Sequence, residues 1–392
     1  MDRKPVVSLA RGQNSLDTAR ACVGERLAEV IKPGDRVLLK INQVGCQPAE
    51  TGSTVRPELI GLVAEMAKEA GASEVTIAED AGRLQDTTEV FAKMGTDVVA
   101  KRVGARLLDL AKEPHPRQPV PGGGLLVDEL EYSAPLLECD VLVGVTKLKT
   151  HHAAGTTGAL KNLFGAVPHA YKSRFHRSDL DKALVDINSV RKADFTVVDG
   201  FPAMEGIGPH SGQAKPMNVT IAGADPVAVD TVCAAVMGID PLWVRHLRLA
   251  GEKGLGVPDL AQIEVQGVPI AEVAQRFRMA LDQTIDETRG YVEIVDKTNC
   301  SGCACVVSTA FSLLHRRYGM TPERARGWRI YMGDVGEVPD VDAERVLLLG
   351  DCTKGYENHA NFIGGCAPII SQVMLRISEA DEDLTTFGTK RL

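Results

Sequence analysis

The first 290 residues alternate between short apolar runs and longer stretches in which apolar positions recur at helical spacing. Residues 37–41 form an apolar run typical of a strand, and residues 56–70 then place apolar side chains three and four positions apart. Pro57 lies in the first turn of that stretch and Gly71 follows its end, which is how many helices start and stop. The pattern predicts a strand followed by a helix.

The same rhythm recurs further along the chain. It predicts additional strands at residues 74–78, 140–145, 195–198 and 219–222. Such alternation favours a parallel or mixed sheet with helices on its faces. We therefore predict an α/β fold, and we expect ligands to bind beyond the carboxyl ends of its strands.

The chain changes character after residue 290. A cysteine-rich run comes before a helical stretch at 306–314, and the segments that follow predict strands at 329–332 and 346–349. We predict two domains: an α/β domain over residues 1–290, and a smaller C-terminal domain over residues 291–392 that binds an iron–sulfur cluster.

Composition and charge narrow the class of protein. The 392 residues are 44% hydrophobic and 24% charged, which is ordinary for a globular protein. A formal net charge of −8 argues against a nucleic-acid-binding surface. No apolar run approaches the roughly 20 residues that span a bilayer, and the first residues lack the apolar core of a secretory signal. We expect a cytoplasmic protein that binds neither membrane nor nucleic acid, and a homodimer is compatible with these properties.

Five of the nine cysteines lie close together near the carboxyl end. Cys300 and Cys303 form a Cys-x2-Cys pair, Cys305 follows, and Cys352 and Cys366 come later. Thiolates that are near each other in sequence hold one face of a metal site, and distant ones complete it when the chain folds. The pattern therefore predicts a site with Cys300, Cys303, Cys352 and Cys366 as ligands.

Three interpretations of these cysteines are open. A [4Fe–4S] cluster takes four thiolates, often with a Cys-x2-Cys pair and a cysteine near a proline, as Cys366 is near Pro368. A structural zinc ion also takes four thiolates, typically as two short-spaced pairs. The third interpretation is a set of unrelated buried cysteines. We favour the [4Fe–4S] cluster, with zinc as the alternative, and Cys305 is an alternative ligand to Cys303.

A run rich in lysine and histidine follows the strand predicted at 140–145. It extends from Lys147 to Asn162, and residues 158–164 are predicted to form a short helix with Thr156 or Thr157 as its N-cap. A loop of small residues that leads into a helix N-terminus binds anions. The lysines add positive charge, so the sequence predicts a site for a carboxylate or a phosphate. The alternative is a solvated basic loop with surface histidines.

A second strand-terminal loop is predicted at residues 199–212, where glycines alternate with polar side chains. We assign proton transfer or metal ligation to histidines and a carboxylate near these loops. The candidate catalytic residues are His151, His152, Lys161, His176 and Glu205. The candidate substrate-binding residues are Lys40, Asn42, Lys147, Lys149, Thr150, Thr156, Thr157, Asn162 and His210.

Several blocks of sequence together resemble the DUF362 family of uncharacterised proteins. They lie between about residues 35 and 255, and the most specific are Lys147-Leu148-Lys149-Thr150-His151 and Gly158-Ala159-Leu160-Lys161-Asn162-Leu163-Phe164-Gly165. Many members of the family carry iron–sulfur ligands in a Cys-x2-Cys-x2-Cys-x3-Cys insert. This chain lacks that insert and has its own C-terminal cysteines instead.

A shorter pattern is similar to the metal-pincer lactate racemase family. It consists of His-x-Ala-Gly followed by Gly-x-x-Lys after a strand, where that family uses histidines and a lysine. The resemblance implies that His151 or His152, together with Lys161 and His176, would serve in this chain.

These features lead to an expected function. We expect an iron–sulfur oxidoreductase that acts on a small anionic organic substrate and exchanges electrons with a ferredoxin-type partner. One alternative is an isomerase, racemase or hydro-lyase whose metal site is structural or acts as a Lewis acid. The other is a protein that only carries electrons or delivers a cluster to a partner.

Overall fold

The computed structural model of this protein describes residues 4–82 and 85–379, so the end of the predicted C-terminal domain, residues 380–392, lies outside the described residues. The strands are β1 Val6–Arg11, β2 Arg36–Lys40, β3 Glu74–Glu79, β4 Arg106–Asp109, β5 Arg117–Pro119, β6 Glu129–Glu131, β7 Val141–His151, β8 Gly155–Thr156, β9 Phe195–Ile207, β10 Ser211–Lys215, β11 Val219–Gly223, β12 Glu264–Gly267, β13 Glu293–Lys297, β14 Arg329–Gly333, β15 Val346–Leu349 and β16 Phe362–Ile363.

The helices alternate with these strands through most of the chain. They are α1 Ser15–Val23, α2 Arg26–Val30, α3 Pro57–Glu69, α4 Thr87–Met94, α5 Thr96–Val103, α6 Ala134–Glu138, α7 Ala159–Asn162, α8 His169–Arg177, α9 Leu180–Val190, α10 Pro226–Val236, α11 Arg245–Glu252, α12 Ile270–Val273, α13 Ala280–Glu287, α14 Ser301–Tyr318 and α15 Ile370–Glu379. Within the described ranges, none of them is both long enough and apolar enough to cross a bilayer.

The large sheet is mixed. Its main order is β12-β1-β11-β9-β7-β2-β3-β4, with β8 and β10 paired to the ends of β7 and β9. Strands β9, β7, β2, β3 and β4 are parallel, whereas β11 is antiparallel to both β9 and β1. The predicted α/β fold with a mixed sheet flanked by helices is confirmed.

Helices cover both faces of the large sheet. The side chains of its central strands alternate between these faces and pack against the helices on each side. On β2, Val37 and Leu39 pack with Leu59 and Val63 of α3. Leu38, between them, belongs to the core on the opposite face, together with residues of β7 and α9. The central strands therefore read as continuous apolar runs, as the sequence pattern indicated.

A second sheet lies in the C-terminal part of the chain. Strands β13, β14, β15 and β16 are all parallel and are hydrogen-bonded in that order. Val307 of α14 and Val373 of α15 pack against Ile330 and Leu347 of this sheet. The sheet begins after the predicted boundary at residues 290/291, although the division into two domains stays a prediction.

Two predicted loops are strands in the structure. Strand β7 continues through Lys147 to His151, and β9 continues through Asp199 to Ile207. The two strands keep pairing beyond a bulge between Lys147 and Lys149, and the short strands β8 and β10 extend the ladders. Backbone groups that a loop would expose are thereby hydrogen-bonded, so polar residues can lie on buried strands.

Candidate functional site

Most of the predicted substrate-site residues meet at the carboxyl ends of β2, β3, β7 and β9. Lys147, Lys149 and His151 occupy alternate positions of β7, which places their side chains on the same face. All three are buried. We call Lys149, His151, His152, Lys161 and His176 the Lys/His cluster.

Two lysines beside the cluster are neutralised by carboxylates that lie on neighbouring strands. Lys40, at the end of β2, forms a buried ion pair with Glu79, at the end of β3. Lys147 Nζ lies 2.9 Å from Asp199 Oδ2. A buried charge is tolerated when it is paired and hydrogen-bonded, so these two lysines have a structural role that explains their burial.

Lys149 is held by amide and carbonyl groups instead. Its Nζ donates to Asn42 Oδ1 at 2.8 Å and to the carbonyl of Ser53 at 2.5 Å. Asn42 in turn donates to Asn162 Oδ1, and Asn162 donates to the carbonyl of Lys40. Burial, followed by the charge of Lys161, lowers the pKa of Lys149 well below its usual value. The structure thus brings Lys40, Asn42, Lys149 and Asn162 together, while their assignment to substrate binding stays a prediction.

Lys161 differs from these lysines. Within the described part of the chain it has no hydrogen bond or ion pair, and its Nζ lies 5.1 Å from the centre of the Phe164 ring. The side chain is only partly exposed. Desolvation, with smaller effects from Lys172 and Lys40, lowers its pKa to about 7.

Three histidines surround this amine. The rings of His151 and His152 stack with centroids 4.8 Å apart, and the His176 ring is 6.4 Å from His151. Burial, and then the charge of Lys161, lower the pKa of His151 well below its usual value. Burial is also the main reason that the pKa values of His152 and His176 fall to about 4. All three are therefore neutral at pH 7.

Backbone hydrogen bonds assign the tautomers of these neutral rings. His151 Nδ1 accepts from the amide of Ala153, so its proton is on Nε2. His176 Nδ1 lies 2.7 Å from the carbonyl of Lys172, and His152 Nδ1 lies 2.8 Å from that of Gly208. A carbonyl only accepts, so Nδ1 is protonated in both rings and Nε2 is a base. The cluster thus contains one imidazole donor and two imidazole acceptors.

The helix N-terminus that the sequence suggested as an anion site is filled by the protein itself. The amides of Ala159 and Leu160 donate to the carboxylate of Asp230 at 2.7 and 3.0 Å. A Cβ on Gly158 would lie 2.1 Å from Asp230 Oδ1, so glycine is needed there for the carboxylate to approach. The N-cap of α7 is Gly158, and the predicted threonine cap is wrong.

The predicted threonines lie beside the cluster with different partners. Thr150 Oγ1 donates to the carbonyl of Gly206 at 2.8 Å. Thr156 is buried in β8, where it pairs with Thr150. Thr157 Oγ1 is buried, and no partner for it lies within the described residues. An unpaired buried hydroxyl is a candidate contact for a ligand, and Thr157 is the threonine that offers one.

Two predicted residues have partners outside the cluster. Glu205 forms an ion pair with Lys215 at 2.7 Å and accepts from the amide of Arg278. His210 is exposed, and its Nδ1 lies 3.2 Å from Gln47 Oε1. Neither residue has a hydrogen bond to the Lys/His cluster in the described structure.

The sequence analysis assigned no role to Asp80, His169 and Lys172, which lie on one side of the cluster. His169 Nε2 lies 2.7 Å from Asp80 Oδ1, and Lys172 pairs with the other oxygen of Asp80. His169, Lys172 and His176 are spaced three and four residues apart, so they share one face of α8. That spacing and the acidic pair at the end of β3 were the available signals.

The four predicted cysteine ligands follow strands of the second sheet. Cys300, Cys352 and Cys366 each stand three residues beyond the ends of β13, β15 and β16, and Cys303 lies in the first turn of α14. Parallel strands bring their carboxyl ends to one edge of a sheet. Burial, together with the thiols of the other three, raises the pKa of Cys303, so the four are neighbours. We call them the cysteine group.

The surroundings of the cysteine group act on its thiols in opposite directions: burial raises the pKa of Cys300 and of Cys303, whereas nearby positive charge favours the thiolate of Cys300. Cys300 is the N-cap of the 18-residue helix α14, whose N-terminus favours negative charge. The buried guanidinium of Arg245 donates to the carbonyl of Cys366. A Cβ on Gly350 would lie 2.6 Å from Cys303 Sγ, so the backbone leaves room there only for the sulfur. These features fit a cluster held by four thiolates.

The positions of the thiols bear on the kind of metal site that the cysteine group could form. Among the described residues, no three histidine, cysteine or acidic side chains are close enough to share one metal ion. Cys305 is also buried. Its thiol contacts the backbone of Gly155, which lies outside the cysteine group.

Helix α14 joins the two groups. It begins at the cysteine group, and one to two turns later Ser308 and Thr309 each donate to the carbonyl of His152 at 3.1 Å. Five residues separate Cys303 from Ser308, which is about 7.5 Å along a helix. The cysteine group and the Lys/His cluster are therefore neighbours across a single helix.

The fold and site define a mixed α/β protein with a basic cluster at the strand ends of its large sheet. The chain belongs to the DUF362 family, a domain of unknown function, whose profile matches residues 37–235. The matched range contains the whole Lys/His cluster and ends before the cysteine group.

Two further comparisons describe what the chain is similar to. The thylakoid-associated protein sll1697 of Synechocystis sp. is 28% identical over 255 residues, which cover 60% of this chain and 73% of that protein. The lactate racemase apoprotein from Thermoanaerobacterium thermosaccharolyticum superimposes with a TM-score of 0.40 and 16% identity, over 60% of this chain and 58% of that one. The superposition thus spans less than two thirds of the racemase.

Proposed function

We propose that this protein is an iron–sulfur oxidoreductase that acts on a small anionic organic substrate. The observation that carries the proposal is the path of α14, whose N-terminus lies at the cysteine group and whose hydroxyls contact His152. A rise of about 7.5 Å along this helix separates Cys303 from Ser308, which contacts the His152 carbonyl, and this arrangement supports a shared substrate for the two groups.

The Lys/His cluster supports the choice of an anionic substrate. Lys149 and Lys161 lack a carboxylate partner in the described structure, and burial lowers the pKa values of both lysines. Burial, and then the charge of Lys161, also lower the pKa of His151. Isolated buried cations are unfavourable unless a counter-charge is supplied. A bound carboxylate would supply it and would also give Thr157 a partner.

The cysteine group supports a [4Fe–4S] cluster over zinc. A single zinc ion with Zn–S bonds of about 2.3 Å holds its four sulfurs within about 4 Å of one another. A four-iron cube binds each thiolate through a different iron and so accepts sulfurs that are further apart. The Cys-x2-Cys pair Cys300/Cys303 and the position of Cys366 near Pro368 are the features that favour the cube.

Each part of the site has a role in this proposal. When bound, the cluster would pass single electrons between an external ferredoxin-type carrier and the substrate. Lys149 and Lys161 would hold the substrate carboxylate. His151 would donate a proton from Nε2, and His176 would accept one at Nε2. Cys352 and Cys366 are exposed, which gives the carrier access to this end of the molecule. Nine free thiols suit a reducing compartment such as the cytoplasm.

One observation favours a second candidate, an isomerase or racemase. His151 and His176 present a donor and an acceptor nitrogen on rings 6.4 Å apart, so one can add a proton while the other removes one. Such chemistry needs no net electron transfer, and the cysteine group would then be structural.

Reoxidation of the reduced protein tests the proposal. Anaerobically purified protein is reduced with dithionite and mixed with a panel of small carboxylic acids, while the visible absorbance of the cluster is followed. We expect at least one acid to reoxidise the wild type, and Lys161→Met to slow this by about tenfold or more, the effect of losing one charge-assisted contact. The exposed Lys93→Met is the matched control and should behave as wild type.

The outcomes separate the candidates. Equal rates in Lys161→Met and wild type would place the substrate elsewhere or indicate a simple electron carrier. Reduced protein that no acid reoxidises, combined with exchange of substrate hydrogen for solvent deuterium, would favour the isomerase.

A further inference from the structure

Five lysines lie at the substrate edge of the large sheet, and four of them are committed to protein partners. The committed pairs are Lys40 with Glu79, Lys147 with Asp199, Lys149 with Asn42 and the Ser53 carbonyl, and Lys172 with Asp80. Lys161 is the one without a partner among the residues that the structure describes. This amine is therefore free to react.

Exposure also separates Lys161 from the three buried lysines, and pairing with Asp80 separates it from Lys172. Lys40, Lys147 and Lys149 are at most 1% exposed, whereas Lys161 is partly exposed, so a ligand in the site can reach its Nζ. A pKa of about 7 leaves a substantial fraction of this amine neutral at neutral pH. The neutral amine is the nucleophilic form, and desolvation is a common way to produce it.

We propose that Lys161 forms a Schiff base with the carbonyl carbon of a 2-oxo acid. The inference rests on the proposed function, since it places the anionic substrate in the Lys/His cluster, and it adds the substrate class. In this refinement of the proposed function, Lys161 reacts with the carbonyl group. Lys149, which has no carboxylate partner and uses two of its three N–H donors, binds the adjacent carboxylate. A 2-oxo acid is the simplest compound that carries both groups on neighbouring carbons.

The neighbouring imidazoles complete the chemistry. Lys161 Nζ attacks the carbonyl carbon, and the bond to nitrogen forms as the carbonyl π bond opens onto oxygen. His176 Nε2 takes a proton from nitrogen and gives it to the oxygen, while His151 Nε2–H hydrogen-bonds that oxygen, and a carbinolamine results. His176 then transfers the second N–H proton to the hydroxyl group, which leaves as water when the C=N bond forms. One amine and one carbonyl give one imine and one water, with no change in oxidation state. The imine then acidifies the C–H bonds on the next carbon.

Borohydride trapping tests the inference, with pyruvate as the probe. Wild type, Lys161→Arg and Lys93→Met are each incubated with pyruvate and sodium borohydride and are then digested for mass spectrometry. We expect wild type and Lys93→Met to gain, on the peptide that contains Lys161, the mass of pyruvic acid less one oxygen. Lys161→Arg keeps the positive charge but is no nucleophile, so its adduct should fall to background.

Binding is measured in parallel by isothermal titration calorimetry without borohydride, which separates this inference from the proposed function. Pyruvate binding without an adduct on Lys161 would overturn the Schiff base and leave the substrate site intact. An adduct of equal yield on exposed lysines would also overturn it, because the labelling would be non-specific. Neither binding nor adduct would overturn the Schiff base together with the anionic site.

Discussion

Single residues are the basis for proposing an anionic substrate in the Lys/His cluster. Carboxylates neutralise Lys40 and Lys147, yet Lys149, Lys161 and the histidines beside them are left without one in the described structure. Sequence alone identified these basic residues because they crowd into one short run. It could not distinguish the paired lysines from the unpaired ones, because their partners lie up to about 100 residues away.

Asp230 is the clearest residue whose role depends on distant contacts. It lies in α10 but hydrogen-bonds the first amides of α7, and burial raises its pKa to about 6. We expect Asp230→Ala to lower the free energy of unfolding by about 1–3 kcal/mol, since two buried amides lose their acceptor.

Gly158→Ala should destabilise the protein for the same reason, because its Cβ would displace the carboxylate of Asp230. Urea unfolding of both variants measures the loss, with the exposed Glu252→Gln as control. If both variants unfold at the wild-type urea concentration, Asp230 is not holding α7.

Among the elements, the strands were predicted best where they are apolar. Strands β2, β3 and β11 and helix α3 agree with their predicted ranges to within one or two residues. Strands β7 and β9 were predicted too short, because lysines and glycines rarely indicate a buried strand. Here Lys147 and Lys149 can lie on β7 since Asp199 and Asn42 stand opposite them.

Helix α14 is the element on which the proposed function depends. We expect Ser308→Ala combined with Thr309→Val to remove both hydrogen bonds to the His152 carbonyl and to lower the free energy of unfolding by about 1–2 kcal/mol. The affinity for a substrate carboxylate should fall as well, because the backbone of the histidine pair loses its support.

The iron content of this double variant should stay unchanged, because the cysteine group lies at the N-terminus of α14 and does not include the two hydroxyls. Ser312→Ala, on the next turn of the same helix, is the control. A double variant with wild-type substrate affinity would show that α14 does not position the histidines.

At the scale of the whole molecule, the buried histidines make stability depend on pH. In the unfolded chain His152 and His176 take up protons near their ordinary pKa of 6.5, but in the folded chain only near 4. The unfolded state therefore binds more protons between these values, so stability is complete above about pH 6.5 and is lost as the pH falls toward 4.

We expect a loss of about 1–3 kcal/mol per histidine across that interval. Urea unfolding at pH 7.5, 6.0 and 5.0 measures it. The variant His152→Asn/His176→Gln should lose less stability than wild type on acidification, and parallel curves would contradict the assignment.

The overall architecture was largely predictable, whereas the relation between its parts was not. Alternating apolar runs predicted the mixed α/β fold, which is confirmed, whereas the thiolate site predicted from the cysteine spacing stays a prediction. The proximity of the cysteine group to the Lys/His cluster could not be predicted. It depends on contacts between α14 and the end of β7, which are more than 150 residues apart in sequence. No local sequence pattern predicts such a contact.

The proposal that the four cysteines hold a [4Fe–4S] cluster beside the Lys/His cluster is tested by metal and sulfide analysis of anaerobically purified protein. We predict about four irons and four sulfides per chain, and a loss of both in Cys352→Ala but not in Cys139→Ala, which lies outside the group. One zinc ion per chain without sulfide, or full iron in Cys352→Ala, would contradict the account.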